Sequence, residues 1–471
     1  MPYRVLLSLL LYTCIQADDL DFEGFENEDV IVIEEHIKPE SWYTFSGYLS
    51  FLSAYNYNQS SQNAAAPGDK VMDFSGLSRA KTKLNLSLDM KHSDIWQSRL
   101  EVMSWYDASW AIKGRDNYTN DVLDSYEYFA DIKDAYVLGT LCKSIDIKLG
   151  RQIVIWGKSD SIRITDVINP LDIREPGMVD IKDLRLSETM SKLNYYFDDY
   201  ALSIILIHES RLAIEPAFGS DYRPRNVFGP TSPDSFFPDV YQPSWNINNT
   251  QFALSLDARF EGWDISVYAA KVLNSRFSIK NNGSNNTNLR NYEMIYMTGL
   301  STSIVNGSWL YKAEAAYITD IDYRSVQDNK NRLDALIGLD YAGFSKTTLS
   351  FELANKHVFD YEDIMLEDTL SQTPPIFPDF EREDTLQIAL RGNYLFDHDN
   401  ASVNYLLSMF GSKDFKFEDG GFQRFWLEYK YNDDVSLNAG VVDYIGGNAE
   451  VPFYNAIKNN DRVFAEILYH F

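Results

Sequence analysis

The stretch "FAEILYHF", Phe464 to Phe471, ends the sequence on an aromatic residue after a regular alternation of apolar and polar side chains. Such a period of two is typical of a β-strand whose two faces meet different surroundings, because successive side chains of a strand point in opposite directions. One parity is apolar, at Val463, Ala465, Ile467, Tyr469 and Phe471, and the other is polar, at Arg462, Glu466 and His470.

The same alternation recurs along the chain in about eighteen segments, each long enough for a tilted strand that crosses a membrane, which needs about 10 residues. The pattern predicts an all-β fold, a closed antiparallel transmembrane β-barrel of about 18 strands, with 16 to 18 as the range. The segments begin near Trp42, Phe74, Ile95, Tyr126, Ser144, Met190, Tyr200, Thr250, Gly262, Asn291, Gly307, Arg332, Ser345, Asp384, Asn400, Gly421, Val435 and Arg462.

The links between these segments alternate between short and long, as the periplasmic turns and the extracellular loops of outer-membrane barrels do. Short links such as "EG", "VN" and "FDHD" are separated by long ones. An even number of strands then returns the C-terminus to the periplasm. The long links run over Gln59–Asp73, Lys113–Ser125, Arg151–Thr189, Glu209–Asn249, Asn274–Arg290, Asp320–Asn331, Lys356–Glu383, Lys413–Gly420 and Gly446–Asp461.

The first seventeen residues, "MPYRVLLSLLLYTCIQA", combine Arg4, a short apolar run and a small residue at Ala17, which indicates a secretory signal peptide over residues 1–17. An acidic periplasmic tail over residues 18–41 follows, and the barrel is expected over residues 42–471. Without Arg4, 41 basic residues stand against 69 acidic ones, a formal charge of −28 that argues against nucleic acid as a partner. No later run of 18 apolar residues could form a membrane-spanning helix.

The C-terminal strand is expected to pair with the first strand, since a barrel in lipid must leave no free strand edge. On this interpretation Phe471, Tyr469 and Ile467 face lipid. A terminal phenylalanine with apolar residues at every second position upstream resembles the signal that bacterial barrel-assembly machinery recognises. The alternative is a closing strand buried in a soluble protein.

Charged residues within strands are expected on the lumen side, because a Lys or Arg that faces lipid at mid-bilayer costs about 2–4 kcal/mol. Arg151 breaks this rule, since it shares the parity of Ile147 and Leu149. We expect a bulge at Gly150 to turn Arg151 into the lumen, because glycine tolerates the backbone of such bulges.

Residues 151–189 form the longest interruption of the strand pattern apart from the following loop, and their six basic and seven acidic side chains nearly balance in an otherwise acidic chain. Balanced charge interspersed with Ile, Val and Leu favours a segment folded into the lumen, where ion pairs with the wall offset desolvation. A solvated outer loop is the alternative. Candidate lumen or constriction residues are Arg151, Trp156, Lys158, Asp160, Arg163, Asp166, Asn169, Asp172, Arg174, Lys182 and Arg185. Their charges would orient solutes, and Trp156 would line a path for amphipathic cargo.

The series "LGRQIVIWGKSD", residues 149–160, followed by "INPLDIREPG", residues 168–177, resembles a porin-like outer-membrane family of uncharacterised function. The likeness lies in Gly-Arg-Gln, Trp-Gly, Ile-Asn-Pro-Leu-Asp and Pro-Gly in that order. It implies an outer-membrane barrel that moves hydrophobic or lipid-like molecules alongside an inner-membrane export partner. A more distant similarity, through Gly150, Arg151 and Gln152, is to alginate-export barrels.

Two further loops are candidates for binding. The loop Glu209–Asn249 is rich in aromatic residues and could present a binding surface or simply pack on itself. The acidic loop Lys356–Glu381 could bind divalent cations that bridge lipopolysaccharide, but it lacks the Asp-x-Asp-x-Asp-Gly spacing of a calcium loop, so solvation is the favoured explanation of its carboxylates. No cofactor, metal or nucleophile motif is present.

Two functions follow as hypotheses. The favoured one is an outer-membrane channel or transporter that passes small polar or amphipathic solutes, lipid-like ones included, through a gated lumen. The alternative is a plugged structural or adhesive barrel that presents its long loops. An outer-membrane hydrolase built on His208 with Ser210, or His357 with Asp360, is the weakest reading, and we expect no enzymatic activity.

Overall fold

The structure, a computed structural model, describes residues 41–59, 72–224, 240–243, 249–281, 288–367, 379–448 and 450–471. The predicted signal peptide, almost all of the acidic tail and large parts of the loops Glu209–Asn249 and Lys356–Glu381 lie outside these ranges. The side chains of residues 279–281 and 288 are likewise left undescribed.

Eighteen antiparallel strands form one closed sheet, as the alternation predicts. The wall strands are β1 (Tyr43–Asn56), β2 (Gly76–Lys91), β3 (Trp96–Asp107), β4 (Tyr128–Cys142), β5 (Ile145–Gln152), β6 (Glu188–Phe197), β7 (Tyr200–Ile207), β9 (Gln251–Phe260), β10 (Trp263–Leu273), β13 (Met294–Asn306), β14 (Trp309–Ile321), β15 (Lys330–Phe344), β16 (Thr347–Val358), β17 (Asp384–Phe396), β18 (Ala401–Ser412), β19 (Lys416–Lys430), β20 (Val435–Ile445) and β21 (Arg462–His470).

The remaining elements are small. A separate three-stranded sheet contains β8 (Val240–Tyr241), β11 (Ser278–Asn281) and β12 (Asn288–Asn291). Short helices span Ser109–Lys113, Asn120–Tyr126 and Pro452–Ile457, and single 3-10 turns span Arg115–Asn117, Ile181–Asp183 and Asp363–Met365. Over the described ranges, every helix falls short of the length and apolar content that a membrane span requires.

The first and last strands close the barrel. β1 pairs with β21 in register from Tyr48 opposite His470 to Asn56 opposite Arg462. Beyond β21, Gly47 and Phe471 exchange two backbone hydrogen bonds of 2.9 and 3.0 Å, so the terminal residue joins the ladder. The predicted pairing of the two ends is therefore confirmed.

The outer surface of the barrel is apolar, as the alternation requires. Leu254, Phe351 and Ile467 are 37, 37 and 48% exposed, although all three are large apolar side chains within strands. Aromatic rings pair beside the short turns, with Phe260 stacked on Trp263 at 4.4 Å. An apolar band with aromatic rings at its edge is the surface that a lipid bilayer requires.

The predicted strand starts agree closely with the observed ones, with one clear exception. β19 begins at Lys416, so the connection to β18 is much shorter than the predicted link Lys413–Gly420. Gly420 lies inside β19 with a positive φ of 86°. The pair Gly420-Gly421 therefore belongs to an irregular strand and does not mark the end of a loop.

The bulge predicted at Gly150 is wrong. Arg151 pairs regularly with Ala135 of β4 and with Thr189 of β6, and no register shift occurs between these residues. Arg151 thus keeps the lipid-facing parity of Leu149. The shift lies in β4 instead, opposite Glu101 and Val102, where Asp134 and Ile132 are the partners and Lys133 is the extra residue.

Candidate functional site

The lumen segment, which we define as residues 153–187, connects β5 to β6 and folds into the barrel as predicted. Its first part, residues 154–168, packs against the inner wall. Val154, Trp156 and Ile162 belong to one buried cluster with wall residues of β7 to β17. Trp156 is 7% exposed and stacks on Tyr268 of β10 at 4.8 Å. Trp156 therefore anchors the segment, and its predicted role in lining a solute path is wrong.

This packing shows that part of the lumen is dry. The inner faces of β7, β10 and β13 carry apolar side chains, among them Ile205, Ala270 and Met297, each at most 4% exposed. The apolar residues of the lumen segment cover these faces, and the buried pairs recover the free energy of apolar contact. Simple alternation suggests that the whole interior is in contact with water. The inner wall that the lumen segment covers is apolar and buried instead.

Two wall carboxylates hold the backbone of the lumen segment. Glu314 of β14 accepts hydrogen bonds from the N–H groups of Lys158 at 2.5 Å and Ser159 at 2.7 Å. Glu352 of β16 accepts the N–H of Asp160 at 2.7 Å and the hydroxyl of Ser159 at 2.8 Å. Both carboxylates are buried, at 5 and 1% exposure, so these bonds offset their desolvation.

The same stretch is held by two ion pairs that cross from segment to wall. Lys158 Nζ lies 3.0 Å from Asp264 of β10. Asp160 accepts a hydrogen bond of 2.5 Å from Lys312 of β14. Lys158 and Asp160 therefore form ion pairs with the wall.

Four further candidates, Arg163, Asp166, Asn169 and Arg185, bind one another within the segment. Asp166 lies between Arg163 at 3.1 Å and Arg185 at 2.7 Å. Asn169 accepts the N–H of Val154 and donates to the carbonyl of Leu186, both at 2.8 Å, so it ties the two ends of the segment together. Burial lowers the pKa of Arg163, and the opposing effect of Asp166 only partly compensates.

The second part of the lumen segment, residues 172–186, borders an open cavity of about 640 Å³. The opposite walls are the inner faces of β1 to β4 and of β19 to β21. The charged side chains in the lining are Lys81, Lys83, Glu101, Lys133, Asp134, Asp172, Arg174, Glu175, Asp180, Lys182, Asp183, Arg185, Arg424, Glu428 and Glu466. Rings of Tyr48, Trp105, Phe129 and Trp426 complete the lining.

Glu175 anchors this second part to β2. It accepts hydrogen bonds from Arg79 and, at 2.8 Å, from Lys81. Burial alone would raise the pKa of Glu175, but Lys81 and Arg79 hold the pKa well below its usual value. Its neighbour Arg174 pairs with Asp172 at 2.5 Å and lies over the ring of Phe129 at 4.4 Å.

Asp180 connects the segment to the far wall. Its carboxylate lies 2.8 Å from Arg391 of β17 and 3.5 Å from Arg424 of β19. The segment therefore crosses the lumen from β2 to β19 and rests on ion pairs at both sides.

Three lysines of the cavity stand apart from these pairs. Lys83, Lys133 and Lys182 have no carboxylate within 4.0 Å among the residues that the structure describes. Lys83 lies 5.2 Å from the centre of the Tyr48 ring. The cavity thus offers cationic side chains next to aromatic ones.

Arg151 alone among the predicted residues lies outside the lumen. Its guanidinium donates to Glu209 at 2.9 Å and to the carbonyl of Ile132 at 2.9 Å, on the outward side of the wall. The wall partners Arg79, Glu314 and Glu352 were missed. An acidic residue at a lumen position between alanines, as in "KAEAA", residues 312–316, was the available signal.

The histidine pairs considered for hydrolysis are not formed. His208 Nε2 lies 2.8 Å from Ser191 Oγ, while Ser210 donates to the carbonyl of Pro243 at 2.9 Å. His357 pairs with Asp384 at 2.9 Å.

Comparison with known proteins identifies a family. The family described as "Protein of unknown function (DUF1302)" matches residues 53–471. No curated protein matches the sequence.

Solved outer-membrane proteins align with most of this chain at low identity. OccAB1 of Acinetobacter baumannii aligns with a TM-score of 0.48 and 10% identity over 91% of this chain and 96% of that one. OpdK of Pseudomonas aeruginosa aligns with a TM-score of 0.47 and 11% identity over 91% and 98%. The outer membrane channel DcaP of Acinetobacter baumannii aligns with a TM-score of 0.42 and 10% identity over 91% and 97%. Likenesses this distant carry no information about a solute.

Proposed function

We propose that this chain, a member of the DUF1302 family of unknown function, is an outer-membrane channel or transporter for small polar or amphipathic solutes. The proposal rests on the geometry of the barrel. Solutes cross the barrel through the cavity beside residues 172–186. The observation that carries this proposal is a 640 Å³ cavity, lined by charged and aromatic side chains, inside a closed barrel with an apolar exterior.

The two parts of the lumen segment suit different tasks. Residues 154–168 are packed in a buried apolar cluster and form the fixed part. Residues 172–186 rest on ion pairs at Glu175 and Asp180. Arg391, the partner of Asp180, is 29% exposed, so this pair exchanges with water at lower cost than the buried pair at Glu175 does. We assign gating to a movement of this second part away from β17 and β19.

Membrane insertion is part of the same proposal. Phe471, Tyr469 and Ile467 are 45, 50 and 48% exposed on the outer surface of the closing strand. Barrel-assembly machinery could read this row, and lipopolysaccharide could surround the long-loop end. An inner-membrane export partner would deliver solute at the short-turn end.

Single-channel conductance in planar bilayers tests the proposal. Asp180→Asn removes the charge that pairs with Arg391 and Arg424, so it should lengthen open periods by about tenfold if the pairs hold the gate by about 1.4 kcal/mol. Glu261→Gln, at an exposed turn, is the matched control and should behave as the wild type. A refolded barrel that never conducts, with or without Asp180→Asn, would overturn the proposal.

A plugged barrel remains the second candidate, because the fixed part of the segment fills one side of the lumen. In that case deletion of the loop between Glu209 and Asn249 abolishes binding of cells to surfaces and leaves permeability unchanged. If the barrel is instead a channel, permeability depends on residues 172–186, and deletion of the loop does not abolish binding of cells to surfaces.

A further inference from the structure

The strands that follow β4 in the barrel wall are shorter than β4. Strand β4 has 15 residues, whereas its neighbours β5, β6 and β7 have 8, 10 and 8. β5 reaches only Ala135, so residues 128–134 of β4 pair with β3 and with no strand on the other side, within the part of the chain that the structure describes. The edge of β4 that faces β5 is therefore unpaired over residues 128–134.

Side chains cover this edge in place of a strand. The carbonyl of Ile132 accepts hydrogen bonds from Arg151 Nε and from the hydroxyl of Ser187, both at 2.9 Å. An open edge next to lipid must be satisfied in some such way, because the bilayer offers no water to its backbone groups.

Four charged residues form what we call the latch: Asp131, Arg151, Glu209 and Arg211. Arg211 binds Asp131 at 2.9 Å, and Arg151 binds Glu209 at 2.9 Å. Arg151 also lies 3.7 Å from Asp131, which joins the two pairs. Each side chain is 10 to 30% exposed, so the latch is only partly shielded from its surroundings.

An apolar groove of about 500 Å³ lies beside the latch on the outer surface. The lumen cavity approaches the same place from inside, because Met103 lines both spaces and Lys133, two residues from Asp131, lines the cavity. The groove is lined by Leu84, Leu86, Val102, Met103, Ser104, Ala130, Asp131, Ile132 and Arg151.

We propose that the latch closes a lateral port, through which an anionic amphiphile passes between the lumen cavity and the lipid phase. The apolar tail occupies the groove outside β3 and β4, and the anionic head contacts Lys133 and Lys83 inside. Lys83 and Lys133 support this occupant: both line the cavity, and neither forms an ion pair within 4.0 Å among the described residues, although the carboxylates of Glu101, Asp183 and Glu466 line the same cavity. The inference rests on the proposed channel function and names its substrate class and its exit.

The test uses the full-length barrel in phosphatidylcholine vesicles with a fluorescent lysophosphatidate as the probe. Serum albumin, too large for the lumen, extracts the probe from the outer leaflet, and the extraction rate reports its passage across the membrane. Ala130→Trp fills the groove and should slow the passage about tenfold while ion conductance stays unchanged. Ala313→Trp, at an outward-facing position of β14, is the matched control and should have no effect.

The head group gives a second criterion. The zwitterionic lysophosphatidylcholine with the same label should pass about tenfold more slowly, and Lys133→Gln should remove this preference. Equal slowing by Ala130→Trp and Ala313→Trp, or no passage of lysophosphatidate through a barrel that conducts ions, overturns the lateral port and leaves the channel intact. Absence of both passage and conductance overturns the channel as well.

Discussion

Glu314 and Ser159 lie 155 positions apart in sequence and are joined by a hydrogen bond of 2.7 Å between the wall carboxylate and the backbone N–H. The same carboxylate accepts the hydroxyl of Thr165 at 2.9 Å. One buried acidic side chain thus positions a whole turn of the lumen segment, and the fixed part of the segment depends on it.

Replacing Glu314 by Ala should lower the free energy of unfolding by about 3 kcal/mol, because several buried N–H and O–H donors lose their acceptor. Urea unfolding of the barrel in lipid vesicles measures the change. Glu314→Gln keeps one acceptor oxygen and should lose less. Equal stability of Glu314→Ala and the wild type would show that the segment does not depend on this contact.

The anchor at Glu175 should be insensitive to moderate acid. Its pKa lies below the usual value, so its stabilising effect is complete above the unfolded pKa and disappears only as the pH falls through the lowered pKa. The free energy of unfolding of the wild type should exceed that of Glu175→Gln by about 3 kcal/mol, with little change from pH 7 to about pH 4.5.

Urea unfolding of both proteins across this pH range checks the expectation. A difference that already vanishes near pH 5 would mean that Arg79 and Lys81 do not hold the carboxylate charged.

Gly150 should tolerate no side chain, although it carries no bulge. Its φ is 123°, and an added Cβ would lie 2.2 Å from the carbonyl oxygen of Ala135. Gly150→Ala should therefore destabilise the barrel by about 2–4 kcal/mol through strain and displaced pairing. Gly307→Ala, at φ 62° with open space around it, is the control and should cost about 1 kcal/mol.

Both variants are measured by the same unfolding assay. A smaller loss for Gly150→Ala than for Gly307→Ala would show that the close approach of β4 is not rigid.

The terminal phenylalanine should govern assembly and not stability alone. Phe471→Ser should reduce the fraction of barrel that is inserted in the outer membrane of living cells, as read from heat-modifiable electrophoretic mobility. Phe415→Ser, at an exposed turn between β18 and β19 at the opposite end of the barrel from Phe471, should insert normally. Normal insertion of Phe471→Ser would remove the terminal residue from the assembly signal.

The strands were predictable because a period of two is a local property that each segment carries by itself. The inward course of residues 153–187 was predictable from balanced charge. The surroundings of Arg151 were not, because parity gives the direction of Cβ, whereas Asp131 and Glu209 come from other elements. Trp156 was misjudged for a related reason: the apolar inner face that buries it is assembled from β7, β10 and β13, and no single strand displays it.

The most direct test of the central claim is the reversal potential of single channels in a salt gradient, for the wild type and for Lys83→Glu with Lys133→Glu. If solutes cross the lumen cavity, the double substitution should shift the reversal potential toward cation selectivity, because negative charge lines the path. Lys346→Glu, at a turn outside the cavity, should leave the potential unchanged. Equal reversal potentials for all three proteins would contradict the account.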